Sequence, residues 1–234
     1  MSADAVTADP DPGQGHDQDH GHGHEAGPVK LAHHFESLEK QAHANRFGVW
    51  VVLGSESLFF LALFVAYAEY RDLNGSAFAL ASRHLNLILG TANTLLLITS
   101  SFTVALATHF IKKDNKKVVL TLLALSMLMG TGFLVVKGFE WAADFREGAL
   151  PGSLFHLEGV PFQGGNLFFT CYFLLTGLHG AHVIIGLGLL AWAAGRVARG
   201  SAYSGYDVPV DVAGLYWHLV DLIWIFLFPL LYLI

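Results

Sequence analysis

A chain of 234 residues in which 53% are hydrophobic and only 14% are charged carries more apolar surface than one water-soluble core can bury. Its formal net charge of −6 and the lack of a basic stripe with interleaved aromatic residues argue against a nucleic-acid-binding protein. The single cysteine, Cys171, excludes an internal disulfide and a cysteine-ligated metal cluster. Composition therefore predicts a protein whose solvent is the lipid bilayer.

The first 45 residues differ in composition from the rest of the chain. They carry eight acidic residues against Lys30 and Lys40, and they lack the basic and apolar regions of a cleaved signal peptide. We therefore expect residues 1–45 to form a disordered, acidic tail. The histidines of this tail alternate with glycine and aspartate, which is compatible with loose transition-metal binding and equally with a plain solvated tail. They are His16, His20, His22, His24, His33, His34 and His43.

Five apolar segments follow, each long enough to cross ~30 Å of hydrocarbon as a helix. Alternating strands of ~10 residues, from which a membrane barrel is built, are not visible, and a helix satisfies its own backbone inside lipid. The sequence therefore predicts an all-α integral membrane protein in which residues 46–234 form a bundle of five transmembrane helices. The predicted spans are Phe47–Tyr70, Leu87–Ile111, Val118–Phe139, Gly165–Ala194 and Gly214–Ile234.

The distribution of lysine and arginine predicts the orientation of these helices. Nine basic residues fall on the side of the N-terminus and four on the opposite side. Four of the nine are lysines in the loop 112–117, and such a cluster resists translocation, so we expect a cytoplasmic N-terminus and a periplasmic C-terminus. The nine are Lys30, Lys40, Arg46, Lys112, Lys113, Lys116, Lys117, Arg196 and Arg199, and the four are Arg71, Arg83, Lys137 and Arg146.

Ionisable side chains inside the predicted spans are the candidate functional residues, because each costs at least ~2.5 kcal/mol near the bilayer centre and needs a partner or a purpose. Glu56 and His182 lie at compatible depths, about 14 Å and 18–20 Å from the cytoplasmic end. We predict that they share a hydrogen bond or a proton. Two pairs have i, i+3 spacing, which puts each pair on one helix face. The predicted buried polar network consists of Glu56, His179, His182, His218 and Asp221.

A further ionisable pair within a predicted span is Lys137 with Glu140. Three interpretations of the intramembrane polar residues stay open at this point. Two transmembrane histidines could ligate a b-type haem, a Glu/His/Asp set could relay protons, and interhelical hydrogen bonds could lock the bundle. The last is favoured, because the histidines lie at different depths and few acidic groups continue across the membrane.

Four motifs lie in order on separate predicted helices: Ser55–Phe60, Asn93–Leu97 followed by Ser100-Ser101, Thr176–Val183 and Tyr216–Asp221. Together they resemble subunit III of the haem–copper terminal oxidases, the cytochrome c oxidase subunit III family. Gly132-Phe133 with Glu140-Trp141 is similar to a further family stretch, although Trp141 replaces a tyrosine. The resemblance covers Arg46 to Ile234.

This resemblance implies an accessory subunit that has no catalytic residue, metal or cofactor of its own. Haem and copper would belong to the partner subunits I and II, while this chain would bind phospholipid and support proton uptake. Glu56 and His182 match the family's buried carboxylate and the histidine near it. Seven-helix members hold lipid beside their first two helices, and this chain resembles the five-helix bacterial form that lacks them, so how it holds lipid is open.

We therefore predict a non-catalytic subunit III of a proton-pumping cytochrome c oxidase, with several spans in the bacterial inner membrane. A quinol-oxidase subunit III and a nitric-oxide-reductase-associated assembly factor are the alternatives. The expected partners are oxidase subunits I and II and membrane phospholipids, with no nucleic acid, and membership of a respiratory supercomplex is open. The expected lipid or interface residues, near the span ends, are Trp50, Arg71 and Trp217.

Overall fold

The computed structural model describes residues 37–234 of the chain, which form six α-helices. Five of them are long and apolar enough to cross a membrane, as predicted. Residues 38–45 of the tail that was predicted to be disordered are helical and form the start of α1. Residues 1–36, with six of the seven tail histidines, lie outside the described part, so disorder and metal binding there stay predictions. The helices are α1 (Leu38–Leu73), α2 (Gly75–Ser82), α3 (Leu87–Ile111), α4 (Lys116–Arg146), α5 (Phe162–Ala198) and α6 (Val208–Tyr232).

The spanning helices are mostly longer than the apolar segments that predicted them. Only α3 has the predicted bounds, whereas α1 has 36 residues and α5 has 37. At ~1.5 Å per residue each of these two is well over 50 Å long, so it extends past the hydrocarbon core. Hydropathy marks the part of a helix that lies in lipid, and it misses the polar turns that continue into the interface. The domain boundary predicted at residue 46 accordingly falls inside α1, which begins at Leu38.

Helix α2 was not predicted, because its eight residues are too few to span a bilayer. Its residues Ala77, Phe78, Ala81 and Ser82 are buried. It packs on α5 so closely that a Cβ added to Gly164 would lie 2.3 Å from the Ala77 Cβ. The Ser82 hydroxyl donates to the Ile234 carbonyl at 3.0 Å. Helix α2 thus covers one end of the bundle and ties α5 to the end of α6.

Polar contacts tie the loops together at the other end of the bundle. Arg46 on α1 donates to Asp207 at 2.7 Å and to Asp211 at 2.9 Å, at the start of α6. In the loop between α3 and α4, Asp114 has a left-handed backbone (φ 53°) and accepts from the Ser204 amide at 2.8 Å and hydroxyl at 2.6 Å. These hydrogen bonds hold the pKa of the Asp114 carboxyl below its ordinary value. The lysine-rich loop is therefore fastened to the loop between α5 and α6.

The core of the bundle is built around α6, which contacts α1, α3 and α5. Trp217 and Trp224 of this helix are almost completely buried. The Trp217 indole N–H donates to Ser100 Oγ at 3.0 Å, and the Trp224 indole N–H donates to Thr94 Oγ1 at 3.0 Å. Each buried indole thereby satisfies its single donor on α3. By contrast α1 buries little of its apolar surface and presents most of it outward.

Candidate functional site

Glu56 of α1 and His182 of α5 are hydrogen-bonded across the helix interface. His182 Nε2 lies 3.0 Å from Glu56 Oε2, and His182 Nδ1 lies 2.7 Å from the Leu178 carbonyl oxygen one turn earlier. The Phe60 ring packs edge-on against the imidazole at 5.1 Å between centroids. Both polar side chains are thus oriented by contacts within the bundle, and the two groups expected to meet from their depths do so.

The hydrogen-bond partners of His182 determine how many protons the pair holds. A carbonyl oxygen only accepts, so Nδ1 must donate its hydrogen to Leu178. In a neutral imidazole the remaining nitrogen, Nε2, is then an acceptor, and it can bond Glu56 only if the carboxyl is protonated. The other state is an imidazolium that donates to a carboxylate. In both states the pair shares one proton across the 3.0 Å contact.

Replacing Glu56 by glutamine is expected to preserve the folded bundle, because the amide can either donate to a neutral Nε2 or accept from a protonated one. We expect Glu56→Gln to change the free energy of unfolding in mixed micelles by less than about 1 kcal/mol, and Glu56→Ala to lower it by about 1–3 kcal/mol. Glu69→Ala, at an exposed position of the same helix, is the control and should have little effect. Equal losses for the glutamine and alanine variants would show that the contact requires a charged carboxylate.

His179 does not join this pair, although the i, i+3 spacing predicted that it would. Its side chain is fully buried, with ring centroids 5.5 Å from Phe133 and 5.1 Å from Trp224. Neither ring nitrogen has a hydrogen-bond partner among residues 37–234. Side chains three residues apart diverge by about 60° around a helix, which is enough to direct His182 to α1 and His179 to α4 and α6.

His218 and Asp221 form a third group that is separate from the other two. His218 Nδ1 lies 2.7 Å from the Ser101 hydroxyl on α3, and Asp221 follows His218 by three residues on α6. Asp221 is only 7% exposed, and its Oδ1 has no partner in the described part of the chain. The prediction of one buried polar network is therefore wrong, since its five members lie in three places.

The most completely bonded polar cluster of the described residues lies elsewhere, around Lys137 and Glu140 of α4. Lys137 Nζ donates to Glu140 Oε2 at 3.2 Å, to the Tyr172 hydroxyl at 3.0 Å and to the Tyr232 hydroxyl at 2.7 Å. The Tyr172 and Tyr232 hydroxyls both donate to Glu140 Oε1. All three ammonium hydrogens and both carboxylate oxygens are thus used, and the cluster joins α4, α5 and α6.

The sequence indicated the ion pair of this cluster but not its two tyrosines. Tyr232 lies near a span end, where aromatic residues are expected at the interface, and Tyr172 lies within a predicted span, so neither was predicted as a partner of the ion pair. A tyrosine in an apolar segment carries a hydroxyl that needs a partner when it is buried. Two tyrosine hydroxyls at depths similar to that of Lys137 and Glu140 were therefore the sequence signal that could have identified the partners of the ion pair.

Comparison with known proteins decides the family. A family model described as cytochrome c oxidase subunit III matches residues 31–234. The chain belongs to this family. A cytochrome c oxidase subunit 3 of Synechocystis is 35% identical over 80% of the chain and 75% of the relative. One of Thermostichus vulcanus is 34% identical over 80% and 86%. A probable quinol oxidase subunit 3 of Staphylococcus haemolyticus is 27% identical over 87% and 97%.

The residues predicted at the lipid interface of this subunit III have different environments. Trp50 is 61% exposed and Arg71 is exposed, so both lie on the outer surface of α1. Trp217 is 1% exposed, and its prediction as an interface residue is wrong. Trp217 lies near the start of the predicted span at Gly214, which indicated the interface. Helix α6 begins six residues earlier, at Val208, and the indole packs between Gly130 and Gly186. Among residues 37–234 no three His, Cys, Asp or Glu side chains are grouped to hold a metal ion.

Proposed function

We propose that this chain is a non-catalytic accessory subunit of a proton-pumping terminal oxidase that oxidises cytochrome c and reduces oxygen to water in a bacterial inner membrane. The observation that carries the proposal is the family match over residues 31–234 together with five helices able to span a membrane. Subunits I and II supply the haem and copper in this proposal, and the present chain stabilises subunit I and supports its proton uptake. The lysines of loop 112–117 support a cytoplasmic N-terminus.

The second candidate is the same subunit in a quinol oxidase. It is favoured by relatives named quinol oxidase subunit 3, of which that from Staphylococcus haemolyticus aligns over 97% of its length. The relatives named cytochrome c oxidase subunit 3 are more similar in sequence, at 30–35% identity. This difference favours cytochrome c as the electron donor, while the fold serves either complex.

The accessory role requires outer surfaces for lipid and for the catalytic subunit. A groove of about 660 Å³ lies between α1, α5 and α6, with apolar walls that include Val49 and Leu189. Arg196 also lines it, and its buried Nε has no hydrogen-bond partner within residues 37–234. An arginine beside an apolar groove suits a phosphate group with its acyl chains. We assign a bound phospholipid to this groove. Because α1, α5 and α6 form the groove, lipid binding would not require the two extra helices of the seven-helix members.

Native purification is the experiment that tests this function. A tagged chain is extracted in mild detergent, and haem and copper in the purified particle are measured by absorption and elemental analysis. We expect both to co-purify together with two larger subunits, and we expect the chain itself, once dissociated, to be colourless. A Soret band on the dissociated chain, or a stable particle without haem and copper, would contradict the proposal. Reduced cytochrome c and a quinol, supplied separately, distinguish the two electron donors.

A further inference from the structure

A polar stripe runs along one face of α6 from the fastened end of the bundle toward its middle. Asp211, His218 and Asp221 are spaced at i, i+7 and i+10, which places them on a single side of the helix over about 15 Å. Thr108 and Ser101 of α3, also seven residues apart, lie opposite. The two helices approach closely here, because a Cβ on Gly214 would meet Thr108 Cγ2 at 3.2 Å. Hydroxyl, imidazole and carboxyl groups thus line the contact between α3 and α6.

A cleft opens along this stripe. It has a volume of about 320 Å³ and is lined by Arg46, Thr108, Asp211, Gly214, Leu215 and His218. Its mouth lies beside the ion pairs of Arg46 with Asp207 and Asp211, near Lys112, which is 3.8 Å from Asp207. Four of its six lining residues are polar or charged, and ordered water needs such partners. An acyl chain in the same place would lie against the His218 imidazole, whose Nε2 has no hydrogen-bond partner among the described residues.

The inner end of the cleft has unused hydrogen-bonding capacity. His218 uses Nδ1 for Ser101, so a proton that arrives through the cleft must bind at Nε2. Asp221 lies three residues further along α6, and its buried Oδ1 has no partner among the described residues. A buried carboxyl oxygen without a partner is costly, and the i, i+3 spacing places Asp221 on the same side of α6 as His218.

From these observations we infer that the cleft between α3 and α6 is a water-filled inlet that ends at a proton-binding site on His218, whose ring is oriented by Ser101. A proton that binds His218 Nε2 makes both ring nitrogens donors. The Nδ1 hydrogen then points to Ser101 Oγ, and the added proton is held on Nε2. One proton enters and one is held, and no other bond changes. This inference goes beyond the accessory role and does not depend on the electron donor.

Cysteine accessibility in the assembled complex tests the inlet. Cys171, the only native cysteine, is first replaced by serine, and Leu215→Cys is introduced in the cleft. Phe102→Cys is the control at similar depth, because Phe102 is 62% exposed on α3 but does not line the cleft. Leu222→Cys, one α6 turn beyond His218 and 50% exposed, is the control past the inner end. A cationic, membrane-impermeant methanethiosulfonate is added to open membrane fragments, and labelling is followed by mass spectrometry.

We expect Leu215→Cys to be labelled at least about fiftyfold faster than either control, because a cation partitions poorly into hydrocarbon and the reactive thiolate requires water. Equally slow labelling at all three positions would overturn the inlet, and so would equally fast labelling, which would indicate an unconfined wet surface. If the Leu215→Cys variant does not assemble, Thr108→Cys is used instead, because Thr108 lines the same cleft and is similar in size to cysteine.

Hydrogen–deuterium exchange at the imidazole C2 position tests the proton-binding site in the unmodified complex. The reaction requires water at the ring. His218 is expected to exchange measurably, whereas His179, which is fully buried between aromatic rings, serves as the internal control and should not. Exchange at His218 as slow as at His179 would overturn the site. Both measurements are independent of haem content and oxidase activity, so their failure is distinguishable from failure of the proposed function.

Discussion

Replacing Lys137 by methionine is expected to lower the free energy of unfolding by about 3–5 kcal/mol, the largest effect of any single change considered for this chain. The ammonium group supplies three of the hydrogen bonds in the cluster with Glu140, Tyr172 and Tyr232. Without it the Glu140 carboxylate stays buried, at 3% exposure, with no neighbouring cation. The loss is measured by titrating the purified subunit with a denaturing detergent in mixed micelles.

A second change in the same cluster separates the buried charge from the lost packing. The double variant Lys137→Met/Glu140→Gln removes both charges and keeps an acceptor for the two tyrosine hydroxyls. It is expected to recover most of the lost stability, since a buried ion pair is often close to neutral relative to an uncharged replacement. Lys117→Met at an exposed position near the start of α4 is the matched control. A double variant as unstable as the single one would show that the ion pair itself stabilises the fold.

Introducing one methyl group at Gly130 is expected to lower the free energy of unfolding by about 1–3 kcal/mol through overpacking. An added Cβ would lie 2.5 Å from Trp217 Cη2 and 3.0 Å from Leu187 Cδ2. The indole cannot move away, because its N–H is bonded to Ser100 and its other face packs on Gly186. The same detergent titration measures Gly130→Ala.

Gly138→Ala is the matched control for this prediction, since it is the same substitution in the same helix and no atom lies within 4 Å of the added Cβ. We expect it to cause no loss of stability. Replacing Trp217 by phenylalanine removes the benzene ring of the indole, whose atoms clash with the added methyl group. The double variant Gly130→Ala/Trp217→Phe is therefore expected to lose less free energy of unfolding than the sum of the losses of the two single variants. Strict additivity would show that the α4 contact with Trp217 is looser than the distances indicate.

The spanning helices could be predicted from the sequence because hydrocarbon imposes a length and a composition on each of them. The short helix α2 could not, since its burial comes from contacts with α5, such as that between Ala77 and Gly164. The sequence of its eight residues contains no local pattern that predicts this contact. The ends of α1 and α5 were missed for a related reason: polar turns in the interface stay helical by continuation of the backbone, and hydropathy does not detect them.

The candidate site was predictable where depth alone brings two groups together. Glu56 and His182 meet because a carboxyl and an imidazole at similar depths on neighbouring spanning helices have few other partners. Depth does not specify the direction around a helix axis, which is why His179 and Trp217 were placed incorrectly. The rotation of a helix within a bundle is set by packing against all of its neighbours, and a single sequence does not show which helices those are.

The cluster around Lys137 has a consequence for the biosynthesis of the chain. Tyr232, which completes it, follows Lys137 by 95 residues, so a ribosome delivers α4 and α5 to the membrane well before the final hydroxyl group exists. During that interval Lys137 has one hydrogen-bond partner fewer than in the complete bundle, because the Tyr232 hydroxyl is missing. We therefore expect the chain to resist proteolysis fully only after α6 has packed against α4 and α5 and Tyr232 has bonded Lys137.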